Sequence, residues 1–520
     1  MKSLSLYGDN NLRFKGINVD NKYTSLILIL TALIWFYGFY MLALVVQSLK
    51  SFMIITILAI GYIFYFGIIS NRPVHALYAF LLIVLFFPKG GNNFIYFTIE
   101  ELPGVSMAIV LQSIASFAIC LNMLRFKDYH SRIPRILRLF CHLVFITIIV
   151  SFTMGMIRQL AGDPLVSAVK AEELAWNVHM LMGLIFLLGC IAFIRQIQQL
   201  EMIFMIILMG GMALVVESIL YVYLALPLPL VNYVFHESGR YHSIFYFDFV
   251  SLVFVIFASI GFILYFGFTR NFRTIYILIP LLFLPILPTF QRTPIISNIL
   301  IVIIFLLLYK NVSFISSLII LSVFVIGSQI LLSKADEIIG NLEFFSVRPE
   351  YFESYLRSWV SRAGAYVRGL EISFYALPFG VGAARMPFVM GSPTTPTFLS
   401  DFVQPGEMES FYTDIASRGW ITGPHNFYVN FFGEYGLFGI ILIIMFIYMC
   451  VKGFKVTRKS GKRISKHQQK LFASQIASHA ILLGIGFWLI FYHYIYYWLL
   501  FFLLFVILFT PEECIAPNKN

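Results

Sequence analysis

The chain has 520 residues, of which 60% are hydrophobic and 12% charged; soluble domains carry about 25% charged residues, so a water-soluble enzyme is excluded. The net charge of +11 suggests nucleic acid at first sight. The distribution excludes that reading: by the topology below, 23 of the 36 Lys and Arg fall on one side, in short loops and tails, which is the positive-inside bias of a membrane protein.

In chain order, residues 1–22 are polar and mixed in charge, without the apolar core and small-residue cleavage site of a secretory signal. The first apolar run is therefore expected to stay as an anchor. Fourteen spans are predicted, at approximately 24–46, 51–69, 74–88, 104–124, 139–157, 174–194, 202–224, 243–268, 274–288, 294–309, 312–332, 425–450, 471–490 and 494–510. Two of them, 74–88 and 274–288, are short enough to be re-entrant. With the N-terminus inside, the basic stretches Arg125 to Arg138 and Lys452 to Lys470 lie in the cytoplasm, with Arg270, Arg273 and Lys310. The expected fold class is an all-α polytopic membrane protein: spans 1–11 over residues 1–332, one large outward loop over 333–424, spans 12–14 over 425–510, and a cytoplasmic tail over 511–520. The two halves do not resemble one another, which weighs against transporters built from repeats. Of the five cysteines, four sit in apolar spans and none in the long loop, so no disulfide framework or thiolate metal site is expected.

Inside the loop, Arg348-Pro349 predicts a helix start and an amphipathic helix near 349–375. Its apolar residues, Phe352, Tyr355, Leu356, Trp359, Ala363, Tyr366, Leu370 and Phe374, fall on an arc of roughly 120°. Glu353, Arg357, Gly364, Arg368 and Glu371 fall opposite, where Glu353 and Glu371 are spaced to pair with Arg357 and Arg368. Such a helix is expected to lie across the outer mouth of the bundle. The chain then turns through Pro378-Phe379-Gly380-Val381-Gly382 and runs to Gly423.

Four outward positions could carry chemistry: Arg240 before the eighth span, Arg292 at the start of the tenth, Arg362 on the loop helix, and His425 opening the twelfth. Guanidinium stays charged and grips phosphate oxygens with two donors at once. Several together stabilise the charge that gathers on a departing diphosphate. For each arginine alone, a helix-end side chain reaching toward headgroups explains the position as well. His425, in the first turn of its helix, meets the positive helix end, which favours a neutral imidazole able to accept a proton; taken alone, a histidine there is more often structural. Glu434 is an intramembrane acid nine residues on, about 180° round the helix, and is read with Glu217 as structural. Asp248 is a candidate to hold an arginine in place. His142, His179, His479 and His493 read as satisfied bundle histidines.

Gly423-Pro424-His425-Asn426-Phe427-Tyr428, followed by Phe432-Gly433-Glu434-Tyr435-Gly436-Leu437-Phe438-Gly439, resembles the His-Asn signature of the O-antigen polymerase and ligase superfamily. Gln291-Arg292-Thr293 is similar to that family's (S/T)-R-(G/S/T). Gly239-Arg240 through Phe245, with Asp248, is similar to its R-x-x-G-x-F-x-x-(P/N). Arg362 to Tyr366 and Pro378 to Gly382 resemble R-x-x-x-W and P-x-x-G-x-G. The likeness covers roughly residues 240–440. Departures are Tyr241-His242-Ser243 in place of small residues, Tyr366 in place of tryptophan, and Pro424 where ligases often show a second histidine.

The resemblance implies a metal-independent, inverting C-type glycosyltransferase at the periplasmic face of a bacterial inner membrane, without a cofactor. Its donor and acceptor would be glycans on undecaprenyl diphosphate. Arg240, Arg292 and Arg362 would clamp the diphosphate and His425 would orient or deprotonate the acceptor hydroxyl. Tyr366, Asn426, Asp248 and Tyr428 would join Arg362 in substrate binding. The sequence agrees in lacking an Asp-x-Asp pair for a metal and a Walker loop. Expected partners are membrane lipids and a chain-length regulator, with no nucleic acid. An O-antigen polymerase is the first reading, a ligase transferring glycan to the lipid A core the second, and a lipid-linked glycan flippase or transporter the third.

Overall fold

The computed structural model describes residues 57–69, 72–86, 107–125, 134–161, 166–224, 249–270, 273–287, 292–309, 364–383, 385–390, 424, 426–460, 466–490 and 498–509. These are helices and turns, with no strand among the described residues. Runs of Leu, Ile and Phe leave a spanning backbone no water to bond to, so each segment satisfies its own N–H and C=O groups by forming a helix. Six helices are long and apolar enough to cross a membrane: Arg135–Ile157, Trp176–Phe193, Ile197–Ser218, Leu252–Thr269, Phe427–Gly453 and Gln469–Trp488. Shorter apolar helices cover Val74–Leu85, Val110–Arg125 and Thr293–Tyr309. The protein is an all-α polytopic membrane protein.

Two predicted spans, 24–46 and 312–332, lie outside the described residues. The predicted 274–288 span is not one helix: a 3-10 turn at Arg273–Ile277 leads into a single α turn at Leu278–Leu281 and then into further turns. Pro280 and Pro285 lack the amide donors a continuous helix needs there.

The Phe249–Arg270 helix is the centre, packed against Ile197–Ser218, Arg292–Tyr309 and Lys466–Trp488. Glycine lets backbones approach here, as in many helix contacts in lipid: a Cβ on Gly261 would lie 2.5 Å from the Ile481 side chain, and one on Gly484 would overlap Ile301. Trp488 stands edge-on to Phe254 and Phe257, and Phe204 stacks on Phe262 at 4.0 Å. The Trp498–Phe509 helix packs against Val166–Phe193 and Lys466–Trp488, and residues 501–509 are all buried.

A buried acid joins three of these helices. Glu201 Oε1 accepts the Tyr265 hydroxyl at 2.9 Å and lies 3.2 Å from Lys470 Nζ. At the rim, the second half of the Phe427–Ser460 helix turns Leu437, Ile441, Ile444, Ile447, Tyr448 and Val451 outward. At 100° per residue these share one arc of roughly 120°, the face that meets acyl chains.

Candidate active site

Residues 364–375 are helical, the described part of the predicted loop helix, and it is the charged side that packs into the protein. Arg368 and Glu371 are buried and ion-paired one turn apart, and Arg368 Nε also donates to the Met390 carbonyl at 3.4 Å. Tyr366 and Phe374, from the apolar arc, are exposed instead. The cause is side-chain size. Gly364, Ala365, Gly369 and Ser373 all lie on the buried side, where small side chains let the backbone come close to a neighbour. A Cβ on Gly369 would lie 2.6 Å from Pro424 Cβ and 2.9 Å from Val429 Cγ1. The Ser373 hydroxyl donates to Gly369 O at 2.7 Å and lies 3.2 Å from Val429 O. The loop helix therefore rests on the residues that flank His425.

The turn after it closes on a break in the Phe427–Ser460 helix. Gly436 adopts φ 58°, ψ −133° inside that helix, which strands backbone groups at membrane depth. The turn supplies their partners: Val381 N donates to Gly433 O at 2.8 Å, Gly382 N to Glu434 O at 3.0 Å, and Leu437 N donates to Pro378 O at 2.9 Å. Irregular backbone survives at such depth only when protein satisfies it. The strands of chain touch so closely that a Cβ on Gly380 would overlap the Glu434 carbonyl, and one on Gly436 the Pro378 carbonyl. Both glycines have positive φ, 78° and 58°. The P-x-x-G-x-G stretch and the E-x-G stretch are thus two halves of one backbone joint.

Above the joint, the His-Asn segment is held by the far end of the Lys466–Trp488 helix. Phe427 N donates to Leu489 O at 2.9 Å and Asn426 Nδ2 to Ile490 O at 2.9 Å. Asn426 Oδ1 accepts Val429 N at 3.0 Å, capping the helix start. The Tyr428 hydroxyl donates to Gly486 O at 3.0 Å. The same Lys466–Trp488 helix packs on the helix that Arg292 begins, with Gly484 against Ser297 and Ile301. One helix is therefore the shared support of the Arg292 helix and the His425 segment.

Among the predicted site residues, Asn426 and Tyr428 sit in this support with their polar atoms bonded to backbone, and Tyr366 is exposed on the loop helix. Arg292 is the first residue of its helix. Arg240, Asp248, Arg362 and His425 lie outside the described residues; Pro424 and Asn426, on either side of His425, are buried.

The structure adds a buried charge, Arg385, that sequence reasoning passed over. Arg385, 1% exposed, follows the glycine turn, and fully buried Glu434 contributes its backbone carbonyl to the joint. Arg368 and Glu371 are buried as well, so the described residues of this region include two buried cations and two buried anions. The available signal was a lone arginine in an otherwise apolar run, Val381-Gly382-Ala383-Ala384-Arg385-Met386. A buried guanidinium needs a counter-charge in the fold.

No curated protein matches the chain. Residues 277–444 match the family model Wzy_C, described as O-antigen ligase, a segment that contains the Arg292 helix start, the loop helix, the glycine joint and the His-Asn support. That match is consistent with the O-antigen polymerase and ligase superfamily.

Proposed function

We propose that the protein is a glycosyltransferase of surface-polysaccharide synthesis, polymerising undecaprenyl-diphosphate-linked repeat units into O-antigen or a related glycan at the periplasmic face of the inner membrane. Arg240, Arg292 and Arg362 hold the donor diphosphate. The acceptor hydroxyl attacks the anomeric carbon from the opposite face as the bond to the diphosphate oxygen breaks, giving inversion. His425 takes the hydroxyl proton, and the arginines stabilise the negative charge left on the lipid diphosphate. The observation that supports this reading is the burial of Pro424 and Asn426, the chain neighbours of His425, the first beside Gly369 of the loop helix and the second bonded to Ile490 O just past Lys466–Trp488.

A second reading, an O-antigen ligase transferring glycan to the lipid A core, is favoured by the description of the matched family. Purified protein reconstituted with a defined lipid-linked repeat unit separates them. A polymerase yields a ladder of lengths from the repeat unit alone; a ligase yields one transfer, and only once lipid A core is added. If neither produces a glycosidic bond, the glycosyltransferase reading fails.

A further inference from the structure

The loop helix leaves an apolar surface that the other described residues do not cover. Phe374 is 54% and Tyr375 59% exposed, and Leu377 and Phe379 follow at 39% and 46%. Four large apolar side chains in six residues, outside a spanning helix, form the kind of patch that marks an interaction surface. Its position says what covers it. The turn at residues 376–379 is bonded to the backbone of Leu437 through Pro378. Leu437 is the first residue of the outward stripe that continues through Ile441, Ile444, Ile447, Tyr448 and Val451. Phe374 also stands edge-on to Phe432 of the same spanning helix, with ring centroids 5.4 Å apart. The exposed turn and the lipid-facing stripe are thus one continuous apolar surface, and the turn sits at its outer end.

We propose that Phe374, Tyr375, Leu377 and Phe379 are an interfacial anchor that seats the loop in the headgroup and upper acyl layer of the bilayer. Aromatic side chains favour that layer because a flat apolar ring meets hydrocarbon while its edge or hydroxyl meets water. The anchor accounts for the orientation of the loop helix: its apolar arc faces lipid, and the charged pair Arg368–Glu371 turns into protein. Because the turn is also the partner of the Gly436 break, the depth of the anchor fixes the height of the following helix start relative to the headgroups. The partner is a lipid surface, independent of which glycosidic bond the protein forms.

Photocrosslinking tests this on the full chain. Benzoylphenylalanine is placed at Phe374, Tyr375 or Phe379, at Ile444 as the lipid-facing reference, and at buried Ile372 as the negative reference. The protein is reconstituted in vesicles of phosphatidylethanolamine and phosphatidylglycerol carrying a labelled phospholipid. Lipid adducts at 375 and 379 at the level of Ile444, with none at 372, are the expected result. Adducts only to the chain itself, only to a second protein when membrane extract is added, or none above position 372 overturn the proposal. Folding is checked by gel-filtration profile in each case, and the aromatic replacement keeps the ring, so a negative at one position with adducts at its neighbours bounds the anchor and a negative at all three removes it.

Discussion

The carbonyl of Pro378 accepts the amide of Leu437, so a turn from the loop completes the hydrogen bonding of a helix interior. Stability of the spanning helix and placement of the loop therefore depend on the same few bonds. A side chain at Gly380 or Gly436 would both force an L-residue into positive φ and overlap a carbonyl. Gly380→Ala and Gly436→Ala are each expected to lower unfolding stability by about 2–4 kcal/mol. Gly61, in open space on its helix, is the control: Gly61→Ala should leave stability unchanged or raise it by up to about 1 kcal/mol. Thermal unfolding in detergent gives the comparison, and equal effects at all three positions would remove the joint from the account.

The Arg368–Glu371 pair is buried on both sides. Removing one partner takes this ion pair away from a buried charge, so Arg368→Met or Glu371→Leu alone should cost about 3–5 kcal/mol. The double replacement should cost less than the two singles added. A double-mutant cycle on the same unfolding measurement tests it; simple additivity would mean that the two charges do not depend on each other.

Asn426 uses its oxygen for the helix cap and its amide for Ile490. Asn426→Ala should lose both bonds, about 1 kcal/mol each. Asn426→Asp keeps the cap but sets a carboxylate against the Ile490 carbonyl. It should therefore retain helix onset while the end of Lys466–Trp488 loses its tie. Hydrogen exchange at Val429, Leu489 and Ile490 distinguishes the two: Val429 stays protected in the Asp variant and is released in the Ala variant.

For the proposed reaction, His425→Ala is expected to reduce glycosidic bond formation by about 10²–10⁴-fold. Arg292→Lys should not restore a bidentate phosphate contact and should be impaired like Arg292→Ala. All three proteins should elute and melt like the wild type. Measured as product ladder against time, near-normal rates in either variant would take that residue out of the reaction.

Much of the bundle was legible because hydrophobic run length is a one-dimensional property: the helices at Arg135–Leu160, Val166–Phe193 and Ile197–Ser218 lie close to the predicted spans. The loop helix shows where that logic stops. Amphipathic periodicity says that one side of the helix is apolar, and that side must face protein only when the alternative is water. Beside a membrane the alternative is lipid, and small residues at Gly364, Ala365, Gly369 and Ser373 decided the packing side. The glycine motifs at 378–382 and 433–439 were visible singly. Their union was not, because a backbone-to-backbone bond across the chain leaves no trace in side-chain periodicity. Arg385 escaped for a related reason, since a single charge carries no period.

The Trp498–Phe509 helix lies inside the bundle, where Trp498 meets Phe427 and Phe431 with ring centroids 6.0 and 5.7 Å away. Ribosomes deliver that stretch after every other described helix. The brace behind Phe427 and Phe431 is consequently the last described part of the bundle to be made, and the ring contacts that close this region form only once it has slotted into place.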